Sequence, residues 1–435
     1  MCTKAKWWLS LALLIPLFAQ ASPKIEHWTL TNGVRVYFVQ ANEIPMLQVR
    51  AVFDAGSARD PKDKAGLAQL FGAMLDEGAA GLTTDQIAAR FEELGAQFGS
   101  GADRDMASVD LRTLSDPRAL EPAVDLFSKI LSQPTLPSDS LERERSRLLI
   151  GLAREAQSPA ALAQRAFSRA LYGDHPYGVD PAGVQEGLKR IARADLTAYH
   201  QRYFVGRNAW LAMIGNLSLS DAHRVAEKIM GGLPAGEPLP ALATVKPLEK
   251  SVTKKISFPS TQSHVLVGQP GIARNDPDYF ALYVGNYILG GSGLVSRLSN
   301  EIREKRGLSY SVYSYFAPLR VAGPFEIGLQ TRNATRDQAL TLLRSTLKRF
   351  IDEGPTPTEL EAAKNNIVGG FPLRIDNNRK IADYLGLIGF YNMPLTYLDD
   401  FPARIQAVTV DQIRDAFTRR IYPDRMATVI LGGER

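Results

Sequence analysis

The chain combines short stretches in which apolar and polar residues alternate with longer stretches in which apolar residues return every three or four positions. Residues 34–39 and 46–53 alternate in the way that predicts β-strands with one buried face. Thr31-Asn32-Gly33 precedes the first of these runs and has the composition of a hairpin turn. Helical periodicity follows over residues 119–131 and 138–156. The first half of the chain is therefore predicted to place strands before helices.

The second half of the chain repeats this order of elements, which indicates an internal duplication. Each half also ends with a helix, a turn containing aromatic and basic residues, and an apolar strand. The matching segments of the second half are residues 252–258 and 264–268 for the strands and residues 339–351 and 359–368 for the helices, and the two closing units are residues 196–215 and 413–431.

A segment rich in Gly and Pro, residues 231–240, separates the two halves and lacks apolar periodicity, which is typical of a linker. We therefore predict two homologous lobes, residues 22–230 and 251–435, joined by a linker over residues 231–250. The predicted fold class is α+β. Each lobe is expected to contain a mixed, mostly antiparallel sheet covered by helices on one face, and the two lobes are expected to form a clamshell cleft.

The composition and the N-terminal residues narrow the classes of function that the chain can have. Two early lysines, an apolar run over residues 7–18 and Ala19-Gln20-Ala21 predict a secretory signal, residues 1–21, that is removed after Ala21; an uncleaved N-terminal anchor is the alternative. Cys2 is the only cysteine of the 435 residues, so the exported chain has no thiol for catalysis, metal binding or disulfides. The formal charge of +5 is distributed without a basic run containing aromatics, so we expect no nucleic-acid partner. Once the apolar signal segment is removed, we also expect no stable membrane insertion.

One run of the first lobe, Gly66-Leu67-Ala68-Gln69-Leu70-Phe71-Gly72-Ala73, resembles the inverted zinc helix of the pitrilysin/insulinase superfamily. In that motif Gly-Leu-Ala is followed by His-x-x-Glu-His, whose histidines hold Zn²⁺ while the glutamate activates water. Here the first histidine falls on Gln69, the glutamate on Gly72 and the second histidine on Ala73. The superfamily's later glutamate ligand is expected near residues 150–152, which contain no carboxylate. The resemblance therefore implies a degenerate site without metal, and the run also fits an ordinary amphipathic helix.

The second lobe carries a longer resemblance, to the second-domain signature of mitochondrial-processing-peptidase-like and pitrilysin-like proteins. It begins at the turn Gly290-Gly291-Ser292-Gly293 and includes Arg303 and Tyr310, which have the seven-residue spacing of an Arg/Tyr pair that faces the active site in those proteins. Arg306 and Tyr313 share this spacing and are the alternative pair.

The resemblance implies that Arg303 holds the substrate backbone, that Tyr310 polarises the scissile carbonyl, and that the glycine-rich turn contacts the peptide. The structural alternatives are an ion pair of Arg303 with Glu301 or Glu304 and a core position for Tyr310.

Together these features resemble the non-catalytic, substrate-binding subunit of a heterodimeric zinc metallopeptidase that acts on peptides in the periplasm. The expected partner is a homologous subunit that carries the His-x-x-Glu-His motif and the Zn²⁺, so this chain is expected to bind no cofactor itself. The resemblance also allows a homodimer when the chain is isolated. Two other classes of function stay open: an inactive peptide-binding or scaffold protein of the same fold, and a self-contained enzyme with an unrecognised site.

Overall fold

A computed structural model describes residues 24–433, so the predicted signal segment over residues 1–21 lies outside the described part of the chain. The strands of the first lobe are β1 (Glu26–Thr29), β2 (Arg35–Gln40), β3 (Met46–Phe53), β4 (Gly78–Ala79), β5 (Leu82–Thr83), β6 (Gln97–Ala102), β7 (Ala107–Leu114) and β8 (Ala209–Gly215). Its helices are α1 (Leu67–Met74), α2 (Thr84–Glu93), α3 (Pro117–Ser132), α4 (Ser138–Glu155), α5 (Pro159–Tyr172), α6 (Gln185–Arg190), α7 (Arg193–Tyr203) and α8 (Leu219–Met230).

The second lobe follows a stretch, residues 231–251, that contains no helix or strand in the structure. Its strands are β9 (Val252–Ile256), β10 (Ser260–Pro270), β11 (Ser309–Phe316), β12 (Pro324–Arg332) and β13 (Ala427–Gly433). Its helices are α9 (Tyr279–Asn286), α10 (Arg336–Glu353), α11 (Pro357–Gly370), α12 (Asn378–Phe390), α13 (Tyr397–Ala407) and α14 (Val410–Arg420).

The two large sheets share a five-stranded topology, to which the first sheet adds β1 at its edge. The first has the order β1-β2-β8-β3-β7-β6 and the second the order β11-β12-β10-β13-β9. Each contains one parallel pair, β2 with β8 and β9 with β13, and its other pairs are antiparallel. When these parallel pairs are superimposed in order, β3 corresponds to β10, β7 to β12, and the edge strand β6 to the edge strand β11. The predicted α+β class with mixed, mostly antiparallel sheets is thus confirmed.

The early hairpin is also confirmed. β1 pairs with β2 in antiparallel register around the predicted turn, and Gly33 has a φ of 95°. That left-handed conformation favours glycine because it has no Cβ.

The lobes exchange helices across their interface. α12 of the second lobe packs on β3 and β8 of the first sheet, and α5 of the first lobe packs on β10 and β13 of the second sheet. The approach is close: a Cβ added at Gly389 in α12 would lie 2.7 Å from the Tyr37 ring and 2.8 Å from the Trp210 ring. One face of each sheet is therefore covered by the other lobe, which makes the lobes a single packed body.

Buried polar groups reinforce this interface. Asp105 of the first lobe is almost fully buried and accepts hydrogen bonds from the phenols of Tyr177 and Tyr391 and, at 2.7 Å, from the backbone N–H of Arg320. Because a buried carboxylate is costly without partners, these bonds fix how the lobes dock.

A cavity of about 1250 Å³ lies between the lobes. Its walls come from the ends of β2 and β3 in the first lobe and from residues 368–381 in the second. Among residues 24–433, no helix combines the length and apolar character that crossing a bilayer requires.

Candidate functional site

The degenerate zinc segment folds as helix α1, and its N-terminus is held by Asp60. Gly66 precedes the helix with a φ of 107°, and the Asp60 carboxylate accepts the backbone N–H groups of Gly66 at 2.8 Å and Ala68 at 2.9 Å. Burial raises the pKa of Asp60 to about 7, against the opposing effect of these N–H groups. Leu70 and Phe71 are fully buried in the core of the first lobe. The helix is therefore held by its cap and its apolar face, neither of which depends on a metal.

The three motif positions lie beside the edge strand β6. Gln69 and Ala73 are half-buried, and Gly72 is buried with its carbonyl oxygen accepting the Ser100 hydroxyl of β6 at 2.8 Å. Helix α4, which would supply the later ligand, packs against α1, and a Cβ added at its Gly151 would meet nothing within 4 Å. The helices that would hold a zinc ion are thus in place, but Gln69, Gly72, Ala73 and Gly151 offer no imidazole or carboxylate, so these residues do not fit Zn²⁺.

Carboxylates near the C-terminal end of α1 have other partners. Burial tends to raise the pKa of Glu77, but hydrogen bonds from Arg143, Thr84 and Ser140 outweigh burial and lower it. Throughout residues 24–433, no cluster of three or more His, Cys, Asp or Glu side chains could hold a metal ion. Zinc chemistry by this chain would therefore need groups that its described part does not bring together.

In the second lobe the structure brings Arg303 and Tyr310 together. Arg303 lies in the helical turn Ser299–Glu304, and its guanidinium carbon is 4.6 Å from the centre of the Tyr310 ring, a cation–π contact. The Arg303 Nε is also 3.3 Å from a Glu304 carboxylate oxygen, so the expected ion pair forms as well. Tyr310 is 84% exposed, which excludes the alternative of a core residue. The pair presents a free phenol and a half-buried cation at the edge of the sheet.

A β-bulge presents Tyr310. The β11–β12 register passes from Ser309 opposite Thr331 to Ser311 opposite Gln330, so Tyr310 is the additional residue. The Ser309 hydroxyl closes the bulge because it lies 2.6 Å from the Ser311 carbonyl oxygen and 2.7 Å from that of Gln330. Bulges on edge strands commonly turn a side chain out of the sheet, and this one turns the phenol toward solvent.

The alternative pair, Arg306 and Tyr313, is not brought together in this way. Arg306 donates to the backbone oxygen of Glu301 at 2.8 Å and to its carboxylate at 2.9 Å. The Tyr313 phenol is 3.3 Å from the buried carboxylate of Glu326, and burial together with that carboxylate raises the pKa of Tyr313 to about 12. Gln164 of helix α5 donates to the other oxygen of Glu326 at 2.8 Å, so Tyr313 belongs to the contact between the lobes.

The glycine-rich turn has clear structural requirements. A Cβ added at Gly290 would lie 2.4 Å from the Ser314 hydroxyl, so Gly290 is needed for packing against β11, and Gly293 has a φ of 65°. Gly291 is exposed and Ser292 half-exposed, so they remain available at the surface. The far end of the turn is fixed by Arg297, which makes two hydrogen bonds of 2.7 Å to Glu359 of α11.

Sequence reasoning missed Ser309 and the anchor formed by Arg297 and Glu359. The sequence does contain a signal for the bulge. Tyr310 and Tyr313 are three positions apart, whereas Tyr313 and Tyr315 are two positions apart, as in a regular strand. The anchor has no comparable local signal because its partners are 62 residues apart. The predicted site residues also lie outside the cavity between the lobes, whose lining includes none of Gln69, Gly72, Ala73, Arg303 and Tyr310. Both groups instead adjoin edge strands, β6 and β11.

Comparisons with known proteins agree with this geometry. A family profile described as "Insulinase (Peptidase family M16)" matches residues 35–181, and one described as "Peptidase M16 inactive domain" matches residues 190–367. A crystal structure of a peptidase M16 inactive domain from Pseudomonas fluorescens has a TM-score of 0.91 and 40% sequence identity, and the match covers 94% of this chain and 98% of that one.

Curated relatives differ in their names. A non-peptidase homolog, YmxG, of Helicobacter pylori is 26% identical over 94% of each chain, and the mitochondrial-processing peptidase subunit beta of Lentinula edodes is 25% identical over 94% of this chain and 90% of its own. Both lobes match the family, and the first has lost the residues of its metal helix. The chain belongs to peptidase family M16 as an inactive member.

Proposed function

We propose that this chain is the substrate-binding, non-catalytic subunit of a heterodimeric zinc peptidase, exported to the periplasm, whose partner carries the His-x-x-Glu-His motif and the Zn²⁺. One observation carries the proposal: α1 keeps its fold without ligating side chains, whereas Arg303 and Tyr310 remain together and exposed on the other lobe. A chain with half of a site can act only where a second chain supplies the other half.

The roles follow from the chemistry of the two side chains. An exposed phenol can donate a hydrogen bond to a peptide carbonyl oxygen as that oxygen gains negative charge, which stabilises the transition state. The guanidinium of Arg303 can hold a neighbouring backbone carbonyl or carboxylate through its fixed set of donors. No strand lies beside the outer edge of β11 in the described structure, and the part of that edge near Tyr310 can accept an extended peptide by strand addition; farther along, the Ser314 carbonyl oxygen already accepts the Asn286 side chain at 3.0 Å.

The names of two relatives bear on this proposal, whereas others are called uncharacterized zinc proteases. One relative is called a non-peptidase homolog, and another is called a subunit of a processing peptidase.

The direct test is reconstitution. The chain would be purified alone and together with an exported family member that contains His-x-x-Glu-His, and zinc content and cleavage of quenched fluorescent peptides would be measured. We expect the lone chain to bind no stoichiometric zinc and to cleave nothing, and the mixture to form a heterodimer that is far more active than either chain. Cleavage by the lone chain would instead reveal a self-contained enzyme, and a homodimer is the expected state only in the absence of the partner.

A double variant separates the subunit from a scaffold. Arg303→Ala with Tyr310→Phe should leave the heterodimer assembled and abolish its activity. The matched control is Arg425→Ala with Tyr422→Phe, because these residues form another surface cation–π contact in the same lobe, with 5.5 Å between the guanidinium carbon and the ring centre. Full activity of the first double variant would favour an inactive peptide-binding scaffold.

A further inference from the structure

A second, smaller cavity lies at the end of β11 opposite to Tyr310. Its volume is about 350 Å³, and its walls include three tyrosines of the α9 region, Tyr279, Tyr283 and Tyr287, and two arginines, Arg274 and Arg374. All of its lining residues are in the described part of the chain, and none is an Asp or a Glu. The cavity therefore combines aromatic walls with two positive charges.

Arg274 has no acidic partner among residues 24–433. Its Nε is buried without a hydrogen-bond partner, and its guanidinium carbon is 5.2 Å from the ring centre of Tyr391. The acidic residues that follow it are already engaged: Asp276 pairs with Arg420 at 3.0 Å, and Asp278 pairs with Arg419 at 2.8 Å. Arg274 as a whole is half-buried, but a buried guanidinium N–H without an acceptor is unfavourable, which makes this donor the strongest sign of a missing acceptor.

Two further acidic groups lie close to this region: Asp103, which accepts the backbone N–H groups of Asp105 at 2.8 Å and Met106 at 2.9 Å, and Asp105, which contacts Tyr391. The two oxygens of Asp105 accept from Tyr177, from Tyr391 at 2.9 Å and from the backbone N–H of Arg320 at 2.7 Å. These neutral donors occupy the carboxylate, and no ion pair joins it to Arg274 in the described structure.

Arg374 provides the second charge. It lies in the turn Phe371–Arg374 that follows α11, and its guanidinium carbon is 5.8 Å from the ring centre of Tyr283. Its neighbours here are phenols, Tyr283 and Tyr384, and no carboxylate of residues 24–433 pairs with it. Two guanidinium groups that meet only aromatic rings and phenols can both turn their remaining donors toward one bound anion.

We propose that this cavity binds a carboxylate of an extended peptide, with an apolar or aromatic side chain of that peptide against the tyrosine wall. The inference rests on the proposed function and specifies its substrate class. The cavity is lined by Ser314, Tyr315 and Phe316, which follow Tyr310 by four to six residues along β11. At about 3.3 Å per residue, the two sites are roughly 13–20 Å apart, a distance that a short extended peptide covers.

The test uses the isolated chain and three defined probes. The first is an N-acetylated pentapeptide of four alanines and a C-terminal phenylalanine with a free carboxylate, and the second is the same peptide with a C-terminal amide. The third is the amide with a glutamate at the central position, which distinguishes a side-chain carboxylate from a C-terminal one. Dissociation constants would be measured by calorimetry and checked by NMR.

We expect at least one carboxylate probe to bind at least about tenfold more tightly than the neutral amide, because hydrogen bonds to charged groups contribute about 1.5–3 kcal/mol, or roughly 10- to 100-fold. Arg274→Gln and Arg374→Gln should each remove most of this advantage. Arg336→Gln is the matched control because Arg336 pairs with exposed Asp337 on α10, outside the cavity.

Equal affinity for the carboxylate and amide probes, or no binding of any probe up to millimolar concentration, would overturn the proposal. The comparison of probes on the unaltered chain decides the matter even if Arg274→Gln fails to fold. Because the measurement needs neither zinc nor the partner, its result is independent of reconstitution: inactive mixtures with intact carboxylate binding would refute the proposed function alone.

Discussion

The two edge strands, β6 and β11, occupy equivalent positions in the two lobes, yet the residues beside them differ in which motif side chains they keep. Beside β6, helix α1 keeps its cap and its hydrogen bond from Ser100 but has lost every reactive side chain. At β11, a bulge and a helical turn hold Tyr310 and Arg303 at the surface.

The difference shows that the packing of a site and its chemistry are separable. The core of the first lobe depends on the apolar face of α1, including Leu70 and Phe71, whereas Gln69 and Ala73 are only half-buried on another side of the helix. Replacing ligands at such positions removes metal binding without opening a cavity in the core. A residual helix therefore needs no residual function to persist.

The strongest test of this difference between the two edges is to restore the metal site beside β6. The variant Gln69→His, Gly72→Glu, Ala73→His and Gly151→Glu should bind one equivalent of Zn²⁺, with affinity at least about a thousandfold above the native chain, roughly 4 kcal/mol. Space permits it, because a Cβ at Gly72 would lie 3.5 Å from the Gly101 Cα and one at Gly151 would meet nothing within 4 Å. Mass spectrometry would measure the zinc content, and calorimetric titration would measure the affinity.

The control for this experiment omits one ligand. Without Gly151→Glu the same chain should bind zinc more weakly, because only the two histidines would remain as protein ligands. Equal affinities would show that α4 does not face the metal position, and stoichiometric zinc on the native chain would contradict the degenerate site altogether.

The next largest effect concerns the phenol of β11. In the proposed heterodimer, Tyr310→Phe should lower kcat about 100-fold, the usual cost of removing one hydrogen-bond donor to a developing oxyanion, with little change in KM. Tyr313→Phe is the matched control. Its phenol is hydrogen-bonded to the buried carboxylate of Glu326, so we expect its loss to lower the thermal midpoint and leave kcat within a few-fold. The reverse pattern would assign the site to Arg306 and Tyr313.

A third prediction uses pH to compare the groups that hold each site in place. Burial tends to raise the pKa of Glu359, but the bonds from Arg297 and Thr356 outweigh burial and lower the pKa to about 2. Since the folded pKa lies below the ordinary value, Glu359 stabilises the protein above about pH 4.5, and this contribution is lost as the pH falls toward 2. Glu359→Gln should therefore cost about 2 kcal/mol of unfolding free energy at pH 7, progressively less below pH 4.5, and little near pH 2, by urea unfolding.

For Asp60, which caps α1, the change of stability with pH should have the opposite sign. Its pKa is raised to about 7, so the folded chain holds a proton that the unfolded chain releases near pH 4. Stability should consequently fall as the pH rises from about 4 to 7, and Asp60→Asn should remove that part of the slope. A slope that is unchanged in Asp60→Asn would show that another carboxyl group is responsible.

The sequence predicted the repeated order of elements because periodicity within each half is a local property. Residues 46–53 alternate and form β3, and residues 339–351 keep a helical period inside α10. The exchange of α5 and α12 between the lobes could not be predicted in this way. It depends on contacts such as that of Gly389 with Tyr37, which are more than 300 residues apart and have no signature in either helix alone.

For the candidate site, too, local patterns could be predicted from the sequence and contacts between distant residues could not. Motif positions identified Gln69, Gly72, Ala73, Arg303 and Tyr310, because a motif is a pattern of neighbours along the chain. The partners that orient them were not found: Asp60 caps α1 from outside the motif, and Ser309 acts through a bulge that appears only when β11 pairs with β12. The sequence thus names reactive groups more readily than the groups that position them.

The smallest effect, but the most specific, belongs to Ser309. Its hydroxyl closes the bulge that presents Tyr310, so Ser309→Ala should loosen the phenol and lower kcat of the heterodimer about fivefold, or roughly 1 kcal/mol. Ser311→Ala, at the exposed neighbouring position, is the matched control and should have no measurable effect.

A double-mutant cycle distinguishes positioning from general destabilisation. If Ser309 acts through the phenol, Ser309→Ala should cost nothing further in kcat once Tyr310→Phe is present, since residues that work as a unit are not additive. Additive losses would mean that the serine stabilises the strand alone. In that case the two edges would differ only in the side chains that they retain, and the bulge would have no part in aiming the surviving phenol.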